Sequence, residues 1–154
     1  MYSFLLSLHS LFRWFVLISL LYSIYRGFSE ASRSGVFTKS DDLLRHLTAT
    51  IVHIQLLLGI SLYFISPIVD YFLHHFSEAV HERELRFFGM EHSLMMLVAV
   101  IVITIGSAKA KRKTTDREKF KTMAVWYTIG LLIILSSLPW PFSPFGAQRP
   151  YIRF

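Results

Sequence analysis

Six ionisable residues lie within stretches of the chain that are otherwise apolar: His9 and Arg13, His46 and His53, Glu91 and His92. A charged side chain at mid-helix in lipid costs about 2.5–3.5 kcal/mol even on the lenient insertion scale, so such residues face a bundle interior and mark function by default. Histidine is the metal-ligating type among them, and the 154 residues contain no cysteine. Disulfides, iron–sulfur ligation and covalent c-type haem attachment all need thiols and are excluded. Imidazoles on facing helices of a dry core remain able to hold a haem iron without a covalent link.

Spacing narrows the candidates. His9 and Arg13 are four residues apart and share a helix face; His46 and His53 are seven apart and share another. His9 and His92 come to similar depth on different helices, about 10 Å below one membrane boundary at 1.5 Å per residue. They form the first-choice axial pair. His53, nearer the midplane, is the alternate, since helix tilt shifts depth. Arg13, one turn from His9, is placed to pair with a haem propionate or with Glu91. Gly59 and Gly130 leave room for either a neighbouring helix or a flat macrocycle. Other uses fit the same residues: interhelical hydrogen bonds, an Arg13–Glu91 ion pair, or a quinone, proton or metal site. His74, Glu78 and His81 have metal-ligand spacing, but a solvated amphipathic face gives the same pattern. Met95 and Met96 read as packing residues able to flank a cofactor.

These residues need elements to hold them. With 53% hydrophobic and 16% aromatic residues and a mean hydropathy of +0.47, the chain is too apolar for a soluble domain of its length. It reads as one all-α membrane domain, residues 1–154, a bundle of four transmembrane helices. The spans cover about residues 4–25, 43–65, 85–107 and 123–138, each near the length needed to cross the hydrocarbon. Arg13 in the middle of the first span, and the lack of a basic segment before it, argue against a cleaved leader. Ser40 or Asp41 is placed to cap the second helix, and Pro67 to end it. Ile68, Phe72, Phe76 and Val80, four apart, predict a short interfacial helix between the second and third spans.

The net charge of +6 is not a nucleic-acid footprint, because the basic residues sit in connectors. Arg26, Arg33 and Lys39 fall in the first connector; Lys109, Lys111, Arg112, Lys113, Arg117, Lys119 and Lys121 fall in the third. Both connectors are therefore expected on the cytoplasmic side, and both termini on the outer side. No phosphate loop, recognisable nucleophile or HExxH sequence supports hydrolase or transferase chemistry.

Four short stretches carry a resemblance: Leu8-His9-Ser10-Leu11-Phe12-Arg13-Trp14, His53-Ile54-Gln55-Leu56-Leu57-Leu58-Gly59, Gly89-Met90-Glu91-His92-Ser93-Leu94-Met95-Met96 and Pro139-Trp140-Pro141-Phe142. Together they make the chain, over nearly its whole length, similar to small bacterial four-span membrane proteins labelled cytochrome b-like. That resemblance implies a haem b protein of the bacterial inner membrane, or a small accessory subunit of a larger electron-transfer complex; other membrane proteins of a redox complex are the expected partners, and quinone is a further candidate. It places His9, Arg13, His53 and His92 at matching positions without saying which two are axial. A different class stays open: a non-enzymatic accessory or assembly subunit whose polar residues pin helices together and whose tail from Trp140 to Phe154 docks a partner.

Overall fold

The structure, a computed structural model, describes residues 1–139. These form α1 (Tyr2–Arg33), α2 (Lys39–Ile65), α3 (Pro67–His74), α4 (Phe76–Ala79), α5 (Arg83–Arg86), a π-helical turn (Phe87–Glu91), α6 (His92–Lys111) and α7 (Asp116–Ser136). Four helical rods, Tyr2–Arg33, Lys39–Ile65, Arg83–Lys111 and Asp116–Ser136, are long and apolar enough to cross a membrane. The expected cap of the fourth span at Trp140 and the tail beyond it lie outside the described residues.

Successive rods run in opposite directions and pack as a ring, α1 against α2, α2 against α6, α6 against α7 and α7 back against α1. Helices α1 and α6 therefore face each other diagonally. Leu20, Ile103, Phe120, Met123 and Tyr127 are fully buried at the centre. Ile18, Leu57, Phe64, Leu94 and Leu132 remain exposed. An apolar belt of this kind is stable against lipid and unstable against water.

The α6–α7 contact depends on Gly130, where any Cβ would run into the Ile103 side chain. This makes it a packing notch between two helices, with no room left over for a macrocycle. Gly130→Leu is expected to destabilise the bundle by about 2 kcal/mol, since overpacking a filled core forces side chains off their rotamers. Denaturation in mixed detergent micelles would measure it.

Several element boundaries differ from those the sequence predicts. Helix α1 continues past Tyr25 to Arg33 because Arg26 bonds both Glu30 one turn on (3.1 Å) and Asp41 on α2 (2.9 Å). It stops at Ser34, whose backbone is left-handed at φ 56°. The cap of α2 is Thr38 rather than Ser40 or Asp41: its hydroxyl accepts from the Asp41 amide, and the Asp41 carboxylate accepts from the Thr38 amide. Likewise Thr115 caps α7, which begins at Asp116, ahead of the apolar stretch that starts near Met123. Pro67 does end the second rod, by opening α3 at its first position. The predicted amphipathic helix is broken into α3, α4 and α5, with Val69, Phe72 and Ala79 turned inward.

Candidate functional site

The end of the bundle that carries the chain's N-terminus contains a cavity of about 250 Å³. His9 and Arg13 line it from α1, Gln55 and Gly59 from α2, His92 and Met96 from α6, and Ile134 from α7. His9 is eight residues into α1 and His92 nine beyond Arg83 in its rod. Both are therefore roughly 10–13 Å from their helix ends at 1.5 Å per residue. Because α1 and α6 are diagonal, the two imidazoles approach the cavity from opposite sides.

Hydrogen bonds fix the state of each ring. His92 Nδ1 lies 2.8 Å from the Ser137 carbonyl oxygen. A carbonyl can only accept, so Nδ1 carries the proton and donates it, leaving the Nε2 lone pair bare. Ser137 caps the end of α7, where helical carbonyls have no partner of their own. An Nδ1–H bonded to a backbone carbonyl is the arrangement that orients a metal-ligating histidine and makes it more basic. The Phe87 and Phe88 rings, with centroids 5.6 and 6.3 Å from the imidazole, restrict it further.

The π-helical turn sets this placement. The His92 amide bonds back five residues to the Phe87 carbonyl, and the Tyr63 hydroxyl on α2 donates to the Gly89 carbonyl at 3.0 Å. Such one-residue bulges in helices recur at functional sites because they re-aim side chains.

His9 is held by Gln55. The Gln55 Nε2 group lies 3.0 Å from the His9 carbonyl and 3.3 Å from the ring Nε2. Since the carbonyl must accept, the amide nitrogen faces His9, and its second hydrogen points at the ring. His9 Nε2 then accepts and the ring proton sits on Nδ1. Two polar atoms are left over: His9 Nδ1 and Gln55 Oε1 are buried with no hydrogen-bond partner among the described residues. A buried unsatisfied group costs about 1–3 kcal/mol, so these two atoms beside one cavity are the ones that a polar guest or a water would satisfy. Gly59 contributes space, for a Cβ there would sit 3.3 Å from His9 Cε1. The Arg13 guanidinium donates to Ser10 Oγ at 3.4 Å and lies 5.8 Å from the Trp14 ring centre, at the cavity wall.

Other candidates lie elsewhere. His53 is exposed on α2, outside the cavity, and donates from Nε2 to Thr104 Oγ1 at 3.0 Å; that hydroxyl gives its own hydrogen to the Val100 carbonyl. Glu91 bonds Arg86 at 2.7 Å, so no Arg13–Glu91 pair forms. His46 is exposed. The chain breaks at His75, and His74 turns back to the Asp70 carbonyl at 2.8 Å. No group of three or more His, Cys, Asp or Glu side chains converges among the described residues.

The polar residues at the other end of the bundle are satisfied by the protein itself. Arg45 is 4% exposed and bonds Asp42 at 2.8 Å and Ser107 Oγ at 2.6 Å. The Tyr127 hydroxyl donates to the Arg45 carbonyl at 2.6 Å, and Ser23 and Thr48 share a bond of 2.8 Å. This layer is satisfied without a ligand, whereas His9 Nδ1 and Gln55 Oε1 beside the cavity are not bonded by any described residue.

Sequence reasoning missed Gln55 and Arg45. An amide in the middle of an apolar span signals an interhelical bond, and Asp42 three residues before Arg45 signals an ion pair on one face. Compared with known proteins, the chain matches no family model, no curated protein sequence and no solved structure.

Proposed function

We propose that this chain is a haem b-binding integral membrane protein that takes part in electron transfer, in which His92, oriented by its bond to Ser137, and His9 would hold the iron. The observation that carries the reading is the His92 ring, anchored through Nδ1–H to Ser137 with Nε2 bare beside an apolar cavity. The residues present fit the group at a small cost. His9 would exchange its weaker 3.3 Å contact with Gln55 for the metal while keeping Gln55 on its carbonyl at 3.0 Å. Arg13 would face a propionate. His53, bonded to Thr104 away from the cavity, has no place in the ligand set.

Bound haem would supply a one-electron couple whose potential depends on the surrounding dielectric and hydrogen bonds. This chain's own residues orient the imidazoles, place one positive charge at the wall and exclude water with an apolar lining. The basic connectors favour a bacterial inner membrane with those connectors in the cytoplasm, both termini outside and α3–α5 at the outer interface. Redox partners would be other membrane proteins of a respiratory complex.

One observation favours a second reading. The orphaned Gln55 Oε1 and the bare His92 Nε2 are both acceptors, which suits a ligand with hydroxyl donors such as a hydroquinone. A dithionite-reduced minus air-oxidised visible spectrum of detergent-purified protein separates the two. A b-type signal with about one haem per chain is expected. A flat spectrum from folded protein would overturn the haem reading and leave either a quinone site or a non-enzymatic accessory subunit.

A further inference from the structure

A second cleft, of about 290 Å³, lies at the basic end of the bundle and is lined by Phe37, Thr38, Lys39, Asp42, Lys111 and Lys119. Its three lysines come from three different helices: Lys39 opens α2, Lys111 closes α6, and Lys119 lies one turn into α7. The acids nearby are already engaged. Asp42 pairs with Arg45 at 2.8 Å, and Asp41, just behind, pairs with Arg26 at 2.9 Å. Asp116 lies 3.5 Å from Lys119 Nζ. Among the described residues neither Lys39 nor Lys111 has an ion-pair partner, so the cleft keeps a surplus of two positive charges.

Depth decides what can neutralise them. The α2 rod has 27 residues and the α6 rod 29, or about 40 and 43 Å at 1.5 Å per residue. A bilayer with its headgroup layers is about 40–45 Å thick. Lys39 and Lys111, each at the end of its rod, therefore sit at headgroup level. Beside the lysines is an apolar surface: the Phe37 ring stands edge-on to Phe120 with centroids 4.8 Å apart, and Lys119 Nζ lies 5.6 Å from its centre. Three lysines lining one cleft next to an aromatic ring, at the height of lipid phosphates, match a phosphodiester attached to a glycerol backbone. Basic pockets between transmembrane helices bind anionic headgroups in this way.

We propose that the cleft formed by Phe37, Lys39, Lys111 and Lys119 is a binding site for the headgroup of an anionic phospholipid in the leaflet at that end of the bundle. The site is independent of what occupies the cavity at the other end.

Native mass spectrometry of the full chain, delipidated in detergent and titrated with phosphatidylglycerol or phosphatidylcholine, tests it. Phosphatidylglycerol is expected to be retained and phosphatidylcholine lost. Each lysine to alanine change should weaken retention about fivefold, and K39A/K111A/K119A together roughly a hundredfold. The matching triple arginine variant should retain the lipid, and the single variants carry the test if the alanine triple does not fold. R112A/K113A/R117A removes the same charge from the adjoining connector and first turn of α7, away from the cleft, and should leave retention within about threefold. Equal losses in both alanine triples would reduce the effect to diffuse surface attraction and overturn the site. Equal retention of the two lipids, or displacement of phosphatidylglycerol by millimolar inorganic phosphate, would also overturn it, the last showing a free-anion site.

Discussion

His92→Ala is expected to remove the reduced b-type absorption band, with bound haem falling from about one per chain to below about a tenth. The size of the effect follows from preorganisation. The Ser137 carbonyl fixes the ring through Nδ1, and no other imidazole in the cavity has both an anchored Nδ1 and an open Nε2. His9→Ala should retain some pigment with altered coordination, because the ligand it removes must first leave Gln55. His53→Ala, which breaks only the 3.0 Å bond to Thr104 on the bundle surface, should leave the spectrum unchanged. Haem quantification and reduced spectra of the three variants, each checked for folding by circular dichroism, measure this. An unchanged band in both the His9 and the His92 variants would sink the ligand assignment.

The second large effect concerns stability. Asp42→Ala is expected to cost about 3 kcal/mol, because it leaves the buried Arg45 guanidinium without its carboxylate. The asymmetry between the partners is the reason: the Arg45 side chain is 5% exposed and the Asp42 side chain 48%. Removing the arginine strands a carboxylate that water can reach. Arg45→Met should therefore cost less, about 1–2 kcal/mol, mostly from the lost bonds to Ser107. Unfolding titrations in mixed micelles would rank the two, and a larger loss for Arg45→Met would contradict the argument.

The four rods were legible in the sequence because twenty apolar residues in a row have few alternatives. Their ends were not. The chain from Gly27 to Arg33 is polar, and it stays helical only because Arg26 reaches Glu30 and Asp41, one of them on another helix. The cap at Thr38 likewise depends on Asp41 serving as its third residue, which a search for the first polar residue before an apolar run misplaces. His9 and His92, read at similar depth, line one cavity together with Arg13, one turn below His9 on the same helix face. Depth alone did not show that His53 lies outside the lining of that cavity, since it says nothing about which way a helix face turns. Gln55 was hidden for a related reason: it carries no charge, and its importance lies in the two atoms of His9 that it touches.

The π-helical turn just before His92 makes chain length itself a variable of the site. Residues in an α-helix advance about 100° each, and the turn accommodates one residue more than an α-helical path would. Deleting Gly89, the residue between Phe88 and Met90, would turn the bond from the His92 amide to the Phe87 carbonyl into an ordinary α-helical one, so the turn would absorb the loss and the residues upstream would keep their face relative to α6. Phe87 would stay beside the imidazole, and what would be lost is the Gly89 carbonyl that the Tyr63 hydroxyl bonds. A one-residue gap at this point in a related chain would therefore leave the rod in register, whereas the same gap within α6 would turn its two parts about 100° apart although every candidate ligand was still present.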